Sequence, residues 1–454
     1  MSQPDPGSFR DPASHVVVGD QSVLRLLDER GLADWRALAA SRVLHDGVAS
    51  GRIIATEEDE PHDGAVACLR HPRLPVITYP FEWTFTMLRD AAVLQLDLLA
   101  AALREGLTIK DATPYNFQFV DGAPVFIDVG SFARYRDGEP WLGYRQFCRQ
   151  FLYPLMLTAW VRVPFQPWLR GDPEGPTALQ MRRLLPMRRR VHPGALAHVE
   201  LQSRAEARMQ GRSVRSSLAD AGFTVDMILA NVNRMRSLVA SFDWQAPSGT
   251  WSGYRACDHV GRDRASKTQF LTKALDELAP GTVLDLGAND GYYSTIASRH
   301  GATTVAVDGD AAVLDRVYRD VAAAGLPVVP VLTDLTNPSP AQGWGGVERR
   351  ALFARVTPDL LIAYGLIHHL IYVSSIPPPQ VIEWLASFKT PVLLEYVAPE
   401  DPMIARLTAN KRPEELHPER GEADFEKLIR ARFDIARIDR LAGDTRILYD
   451  LRVR

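Results

Sequence analysis

The strongest constraint on the fold is a regular alternation of apolar and amphipathic stretches in the carboxy-terminal half. Apolar runs such as TVLDLG (282–287), TTVAVDGD and PVLLEYVAP are separated by helix-type segments such as AAVLDRVYRDVAAAG. Strands that are apolar throughout and are joined by helices predict a parallel sheet covered on both faces. The last two strands, FDIARIDRL and RILYDLRV, are joined by a short AGDT turn, which predicts an antiparallel hairpin at the end of the sheet.

Composition excludes several classes of protein. The chain has 454 residues, a net charge of −3, and a hydrophobic fraction of 46%. This charge creates no basic field, so a nucleic-acid partner is not expected. The three cysteines form no CxxC pair, and we expect no disulfide framework and no metal site. With neither a signal peptide nor an apolar run of membrane length, the sequence predicts a cytoplasmic protein with no membrane partner.

The chain divides into four predicted parts. Residues 1–14 are polar with two prolines and are predicted to be disordered. Residues 15–175 predict an α+β domain, in which FQFV (117–120) and APVFIDV (123–129) form a hairpin around Asp121-Gly122. Residues 176–245 are rich in Arg and predict a helical connector, whose Arg cluster is interpreted as a solvated face, with a substrate or nucleic-acid contact as the alternative. Residues 246–454 form the α/β domain.

A glycine turn follows the first strand of this α/β domain, in VLDLGANDGYYS (283–294). Ligands of open α/β sheets bind beyond the carboxyl ends of the strands, which is where this turn lies. Gly287 and Gly291 would let the backbone approach a ligand without a Cβ in the way. Asn289 stands between them, and Asn is one of the few residues that tolerate a positive φ.

The stretch DLGANDG (285–291) resembles the first motif of class I S-adenosylmethionine-dependent methyltransferases, with Asn289 where a middle glycine often stands. The resemblance implies a Rossmann-like sheet and S-adenosylmethionine as cofactor. It implies that Asp285 meets the amino end of the methionine moiety, directly or through water. Asp308, at the end of the second strand, would accept both ribose hydroxyls. Asp334 would accept the adenine amino group, and Leu335 would support the ring.

The segment after the fourth strand, YGLIHHL (364–370), would face the transferring methyl group and the acceptor in such an enzyme. Tyr364 is therefore a predicted cofactor contact, and His368 or His369 is a candidate general base near neutral pH. A structural role for these histidines remains the alternative, because methyl transfer can proceed through proximity and alignment alone. Trp251 and Tyr254 are candidates for a lid over the cofactor, or for packing of the domain.

A dinucleotide is the rival ligand for the same turn. Its fingerprint, G-x-G-x-x-G, leaves a helix N-terminus open for pyrophosphate. Here Asn289 replaces the second glycine, and Asp290 places negative charge where a phosphate would lie. S-adenosylmethionine carries a cationic sulfur and no phosphate, so it is favoured over NAD. Acids that merely cap helices in a nucleotide-free domain are a further alternative.

The amino-terminal half carries a second signature. Asp111 is followed by Asn116, then by a hairpin and the stretch FIDVG (126–130), which contains Asp128. This order resembles the catalytic-loop and metal-binding segments of protein kinases and small-molecule phosphotransferases. No Lys precedes Lys110 and no glycine-rich phosphate loop is present, so we interpret residues 15–175 as a kinase-like domain that is inactive as a kinase. An active phosphotransferase and an accidental match are the alternatives.

Together, YPFEW, KDATPYNFQF, FIDVGSF and GLIHHL…LLEYVAPEDPM resemble a bacterial group of two-part methyltransferases from nodulation and natural-product pathways. The resemblance implies methyl transfer to an O or N atom of a small-molecule acceptor, with release of S-adenosylhomocysteine. A different outcome with S-adenosylmethionine, such as cyclisation, and a non-catalytic cofactor-binding module remain open. The sequence indicates neither the acceptor nor the oligomeric state.

Overall fold

The computed structural model describes residues 3–62, 64–208, 224–244 and 258–454. The chain forms two compact units. The first comprises Met1–Gln245 together with Ala341–Arg349, and the second comprises Ala246–Pro340 and Arg350–Arg454. Within the described ranges, no helix combines the length and the apolar character needed to cross a membrane.

A five-stranded antiparallel sheet opens the first unit. Its order is β1-β2-β3-β5-β4, and the strands are β1 (Gln3–Pro4), β2 (Ser14–Val18), β3 (Ser22–Leu27), β4 (Glu57–Asp59) and β5 (Ala67–Pro72). The prediction that residues 1–14 are disordered is wrong for residues 3–14. Gln3 and Pro4 pair with Val18 and Val17, which satisfies backbone groups that a polar tail would otherwise leave to water.

Helices build most of the rest of this unit. The helix Phe85–Arg104 is its core, because it is buried on most of its surface, and Val225–Ala240 packs along it. The Arg-rich region 176–245 therefore belongs to the first unit and is not a separate connector. The other α-helices among the described residues of this unit are Glu29–Ala39, Arg42–Ala49, Tyr144–Phe147, Tyr153–Met156, Gln166–Gly171, Ala178–Leu184, Met187–Arg190, Pro193–Ala195 and Leu201–Arg208. Short π-helical turns cover Cys148–Leu152, Leu157–Val161 and Leu196–Glu200.

Two small antiparallel sheets complete the first unit. They pair β6 (Leu107–Ile109) with β9 (Phe132–Arg134) and β7 (Phe117–Val120) with β8 (Ala123–Phe126). Asp121 and Gly122 join β7 to β8 with φ values of 49° and 74°. Two consecutive left-handed residues are what a two-residue hairpin turn requires, so the predicted hairpin is confirmed.

The second unit contains a seven-stranded sheet. Its order is β12-β11-β10-β13-β14-β16-β15, and the strands are β10 (Thr282–Leu286), β11 (Thr303–Asp308), β12 (Val328–Leu332), β13 (Leu360–Ala363), β14 (Val392–Val397), β15 (Phe433–Arg440) and β16 (Arg446–Val453). β10 to β14 are parallel, whereas β16 lies antiparallel between β14 and β15. In the part of this unit that the structure describes, the α-helices are Asp258–Leu278, Tyr292–Arg299, Ala311–Ala324, Pro378–Ser387, Pro402–Leu407 and Glu422–Arg432.

The strand register brings several residues to one level of this sheet. Leu286 of β10 pairs with Val307 of β11, and Ala363 of β13 pairs with Leu394 of β14. The next residue along each strand therefore lies in one row at the carboxyl edge. The members of this row are Gly287, Asp308, Tyr364 and Glu395.

Candidate functional site

The glycine turn joins β10 to the helix Tyr292–Arg299. Gly287, Asn289 and Gly291 all have positive φ, at 74°, 48° and 67°. Asn289 thus adopts the left-handed conformation that the sequence indicated. The N–H groups of Gly287 and of the next residue both donate to the Val307 carbonyl oxygen at 2.9 Å, so the turn is fixed to β11.

The glycines of this turn are explained by packing as well as by φ. A Cβ on Gly291 would lie 2.9 Å from Cγ1 of Val317, in the helix Ala311–Ala324. A Cβ on Gly287 would lie 3.3 Å from Cδ1 of Leu366. Both directions lead into protein, so these glycines allow close packing of the turn, and their contact with a ligand stays a prediction.

Asp308 ties the turn to the end of β11. One carboxylate oxygen accepts the Asn289 N–H and the other accepts the Asp310 N–H, each at 2.9 Å. Burial raises the pKa of Asp308. A carboxylate has about four acceptor positions, so two backbone bonds leave further positions for a ligand.

Asp285 lies beneath the turn. It is 2% exposed, and one of its oxygens accepts the Ser294 hydroxyl at 2.6 Å. Burial raises the pKa of Asp285 to about 7, even though the Ser294 hydrogen bond opposes that shift. So little of this carboxylate is exposed that a water-mediated contact with a ligand fits it better than a direct one.

Negative charge lies at the N-terminus of the helix Tyr292–Arg299. The Asp290 carboxylate accepts the Tyr292 N–H at 3.4 Å, and its other oxygen lies 3.4 Å from the Arg264 guanidinium. The position at which a helix N-terminus binds a phosphate is thus already supplied with a carboxylate.

Asp334 follows the end of β12. It is exposed, and one of its oxygens accepts both the N–H and the hydroxyl of Thr336, at 2.8 and 2.7 Å. Leu335 is half-buried beside it. Asp334 therefore shapes its own turn while its side chain remains accessible.

Tyr364 lies in the core of the second unit. Its ring packs edge-on against Tyr293 at 5.1 Å between centroids, and its hydroxyl has no hydrogen-bond partner among the described residues. Its side chain therefore faces the interior, and the predicted cofactor contact of Tyr364 stays a prediction.

The two histidines differ in depth. His368 is 2% exposed, whereas His369 is half-buried. Burial lowers the pKa of His368 to about 3 and that of His369 to about 4. Both imidazoles are thus neutral at pH 7. Their pKa values are lower than that of a general base that titrates near neutral pH, so they are weaker bases than such a residue. Trp251 and Tyr254, the predicted lid residues, lie outside the described residues.

Comparison with known proteins identifies a relative over almost the whole chain. Nodulation protein NoeA of Rhizobium meliloti (strain 1021) is 30% identical over 458 residues, which span 98% of this chain and 94% of that protein. The chain belongs to the NoeA family. No protein-family model matches this NoeA-family chain.

Solved structures match only part of the NoeA-family chain. N-methyltransferase NodS from Bradyrhizobium japonicum WM9, in complex with S-adenosylhomocysteine, is 12% identical and covers 42% of this chain and 86% of its own, with a TM-score of 0.31. The bifunctional kinase-methyltransferase WbdD is 20% identical and covers 44% of this chain and 41% of its own, with a TM-score of 0.30. Scores this low do not establish a shared fold.

The polar residues of the kinase-like signature satisfy one another within the first unit. Arg25, on β3, lies 2.8 Å from an Asp128 oxygen and donates to the Ser14 hydroxyl at 2.9 Å. The Ser131 hydroxyl donates to the other Asp128 oxygen, and the Asn116 amide donates to Ser131 at 3.1 Å. An arginine that the sequence analysis did not single out therefore occupies the carboxylate expected to bind metal in an active phosphotransferase.

Asp111 of the same signature lies next to Lys110, whose ammonium is 3.7 Å from Asp34. Partial desolvation and the negative charge of Asp128 raise the pKa of Asp111. The three residues Asp111, Asn116 and Asp128 thus share one polar region of the first unit, but Asn116 and Asp128 are already hydrogen-bonded within it.

Residues 341–349 follow β12 in sequence but belong to the first unit. Glu348, 5% exposed, accepts two bonds from the Arg10 guanidinium, at 2.9 and 2.8 Å, and one from the Trp344 N–H at 2.8 Å. The hydrogen bonds from Arg10 lower the pKa of Glu348 to about 2. The Arg349 guanidinium lies 4.1 Å from the ring of Tyr115, one residue before Asn116.

The ion pair between Lys267 and Glu395 was not expected from the sequence. The Lys267 ammonium lies 2.7 Å from Glu395, which is fully buried on β14. The signal was present, since a charged residue inside an otherwise apolar strand needs a buried partner, and Lys267 is one of few lysines in the chain.

Proposed function

We propose that this protein transfers a methyl group from S-adenosylmethionine to an O or N atom of a small-molecule acceptor, releasing S-adenosylhomocysteine. The proposed site is the crevice beyond the carboxyl ends of β10 to β13. A class I methyltransferase fold for residues 246–454 is part of the proposal. The sheet order and the antiparallel terminal hairpin support it.

One observation carries the proposal: the turn after β10 is held in shape by the acid at the end of the neighbouring strand. Asp308 fixes the Asn289 N–H and keeps acceptor positions open in the same row as Gly287. Two ribose hydroxyls are donors of the kind that such a carboxylate accepts. Asp334 follows the end of the next strand, within the same edge, where an adenine amino group would find an accessible acceptor.

The charge of the site favours a cationic nucleoside over a dinucleotide. Asp290 places a carboxylate at the helix N-terminus, where a pyrophosphate would need bare N–H groups. Asp285 adds a second acid beneath the turn. A cationic ligand favours the ionised form of Asp285, whose pKa is about 7, whereas a diphosphate would compete with the Asp290 carboxylate for the helix N-terminus.

In the proposed reaction, bound S-adenosylmethionine supplies a methyl group on a positively charged sulfur. The residues of the chain bind and orient it: Asp308 at the ribose, Asp334 and Leu335 at the base, and Asp285 towards the amino end. His369, half-buried with a neutral imidazole, would accept a hydrogen bond from the acceptor nucleophile. Because the pKa of His369 is about 4, we assign it orientation rather than strong general-base catalysis.

We infer that the first unit is a kinase-like module without phosphotransferase activity. The ion pair between Arg25 and Asp128 supports this, because the carboxylate that would hold magnesium is already neutralised at 2.8 Å. The sequence contains no lysine before Lys110, so no lysine on the early strands is available to pair with the phosphates of ATP.

Isothermal titration calorimetry of the full chain with S-adenosylhomocysteine, NAD and Mg·ATP tests the ligand class. We expect S-adenosylhomocysteine to bind and the other two to give no heat of binding. Binding of Mg·ATP or NAD without S-adenosylhomocysteine would reverse the assignment.

Product analysis distinguishes methyl transfer from the two alternatives, an intramolecular reaction and non-catalytic binding. Incubation with S-adenosylmethionine and nucleophilic small molecules should yield a methylated product and an equal amount of S-adenosylhomocysteine. Consumption of S-adenosylmethionine without a methylated product would indicate cyclisation or another intramolecular outcome. Binding with no turnover across hydroxyl and amine acceptors would support a non-catalytic cofactor-binding module.

A further inference from the structure

A second charged element lies at the same edge of the sheet as the proposed cofactor site. Glu395 is fully buried and stands in the row that contains Gly287 and Asp308. One of its oxygens accepts from the Lys267 ammonium and from the Gly365 N–H, both at 2.7 Å. The other oxygen lies 3.2 Å from the Arg446 guanidinium.

The ion pairs extend beyond Glu395. Arg446 also donates to Asp401, at 2.9 Å from its Nε, and Asp401 accepts the Thr445 hydroxyl and the Met403 N–H at 2.9 Å each. Interactions with Lys267 and Arg446 outweigh burial and lower the pKa of Glu395 to about 2. Two cations and two anions are thus held in the interior of the second unit.

Stability alone is a poor explanation for this network. Moving four charges out of water carries a large desolvation cost, and apolar residues of similar volume often stabilise a core as well or better. The network does, however, fix one backbone group with precision. The Gly365 N–H points at a fully buried, ionised acceptor, and Gly365 has a φ of 62°.

The position of Gly365 sets the position of Leu366. The side chain of Leu366 lies 3.3 Å from the place where a Cβ of Gly287 would stand, so it packs directly against the glycine turn. His368 and His369 follow within the same segment. A shift of Gly365 by a few tenths of an ångström would therefore move the Leu366 side chain that packs against the glycine turn.

We propose that Glu395 is a positioning residue for the proposed methyl transfer: it holds Gly365 and Leu366 against the Gly287 turn and so sets the shape of the cofactor crevice. Lys267 and Arg446 keep its carboxylate ionised and aligned. This inference rests on the proposed function for its consequence, but the bond from Gly365 to Glu395 can be tested independently of any ligand.

The test compares Glu395→Asp with Glu395→Gln in the full chain. Asp keeps the charge but retracts the carboxylate by one methylene, and Gln keeps the length but offers a single acceptor oxygen without charge. Hydrogen–deuterium exchange should show the Gly365 amide exchanging at least tenfold faster in both variants. Titration with S-adenosylhomocysteine should show affinity weakened roughly tenfold in both.

Asp450→Asn is the matched control. Asp450 is buried on β16 and paired with Arg452 at 3.1 Å and Arg437 at 3.6 Å, so this variant also breaks a buried ion pair of the same sheet. It should lose stability, yet keep slow Gly365 exchange and wild-type affinity for S-adenosylhomocysteine.

The possible outcomes are distinct. Wild-type exchange at Gly365 and wild-type affinity in Glu395→Asp would overturn the inference. A charged side chain too short to reach the Gly365 N–H would then be sufficient for both properties. Equal loss of affinity in Asp450→Asn would also overturn it, since any damage to the core would give the same result. If the wild type does not bind S-adenosylhomocysteine, the proposed function falls, while the exchange of Gly365 still decides whether Glu395 holds that segment.

Discussion

Replacement of Asp308 by Asn separates the two tasks assigned to this carboxylate. One of its oxygens accepts the Asn289 N–H and the other accepts the Asp310 N–H, each at 2.9 Å. An amide nitrogen cannot accept a hydrogen bond, so one of these N–H groups loses its acceptor and the other loses a charged partner. We expect the free energy of unfolding to fall by about 1–3 kcal/mol.

Ligand affinity should fall as well. A ribose hydroxyl that donates to an ionised carboxylate contributes about 1.5–3 kcal/mol, which corresponds to about 10- to 150-fold in the dissociation constant of S-adenosylhomocysteine. A distorted turn would also weaken binding. The two causes are separated by titrating the wild type and Asp308→Asn with S-adenosylhomocysteine and with its 2′-deoxy and 3′-deoxy analogues.

The coupling energy between the Asp308→Asn substitution and removal of a ribose hydroxyl distinguishes the two causes. If the carboxylate accepts a ribose hydroxyl, removing that hydroxyl weakens binding to the wild type but hardly changes binding to Asp308→Asn, so the coupling energy exceeds about 1 kcal/mol. Asp310→Ala is the control, because Asp310 caps the next helix through the Ala312 N–H at 2.9 Å and costs about 1 kcal/mol of stability when removed. Coupling near zero for both analogues would refute the ribose contact and leave Asp308 as a builder of the turn only.

Three further predictions concern pH and charge. The pKa of Asp285 is raised to about 7, and the ammonium group of S-adenosylhomocysteine favours the ionised form, so this ligand should bind more tightly as pH rises through 7. The contribution of Asp285 to stability has the opposite sign: it is full below the unfolded pKa and is lost as pH rises through the folded pKa. Calorimetry that shows an affinity independent of pH would contradict the binding prediction. Glu348→Gln should lower the free energy of unfolding at pH 7 by about 1–3 kcal/mol. The difference from the wild type should vanish as pH falls through about 2, where Glu348 itself becomes protonated. Denaturant titrations that show the same difference at all pH values would contradict this prediction. With the pKa of His368 at about 3 and that of His369 at about 4, kcat should show no imidazole inflection near neutral pH, and an inflection near 6.5 that disappears in His369→Gln would show that His369 titrates as a base.

The second unit could be predicted from local patterns. Strands β10 to β14 and β16 are marked by apolar runs, β15 by alternating apolar and polar residues, and the helices between them by their own periodicity, so no distant contact is needed to recognise them. The conformation of Asn289 was predictable for the same reason, because the tolerance for positive φ belongs to the residue itself.

The segment 341–349 could not be predicted in this way. It has no helix or strand periodicity, and its partners are remote: the Gln342 amide donates to the Arg170 carbonyl oxygen at 2.7 Å, and Glu348 pairs with Arg10, 338 residues away. The same long-range pair and the pairing of β1 with β2 together hold the polar residues 3–14 in the first unit. A polar composition describes a segment alone and says nothing about a buried carboxylate supplied by another part of the chain.

Arg25 was missed for a related reason. The early strands carry no lysine, but β3 carries an arginine whose guanidinium reaches Asp128 at 2.8 Å. These two residues lie far apart in the sequence, and the tertiary structure of the first unit brings them together. A motif that lacks one member is therefore ambiguous until the structure shows what replaces it.

The acids at the carboxyl edge of the sheet share one property that bears on how the site would work. Each is engaged by the protein: Asp285 by Ser294, Asp308 by two backbone N–H groups, Asp334 by Thr336, and Glu395 by Gly365 and Lys267. Carboxylates held in this way need little rearrangement when a cationic ligand arrives, so the interaction is not weakened by reorganisation of the site. Among the acids of this edge, Glu395 is neutralised by its partners whereas Asp308 keeps acceptor positions. The first therefore shapes the crevice and the second can bind within it, which is why we expect their variants to differ in a ribose-deletion cycle even if both weaken binding to the intact ligand.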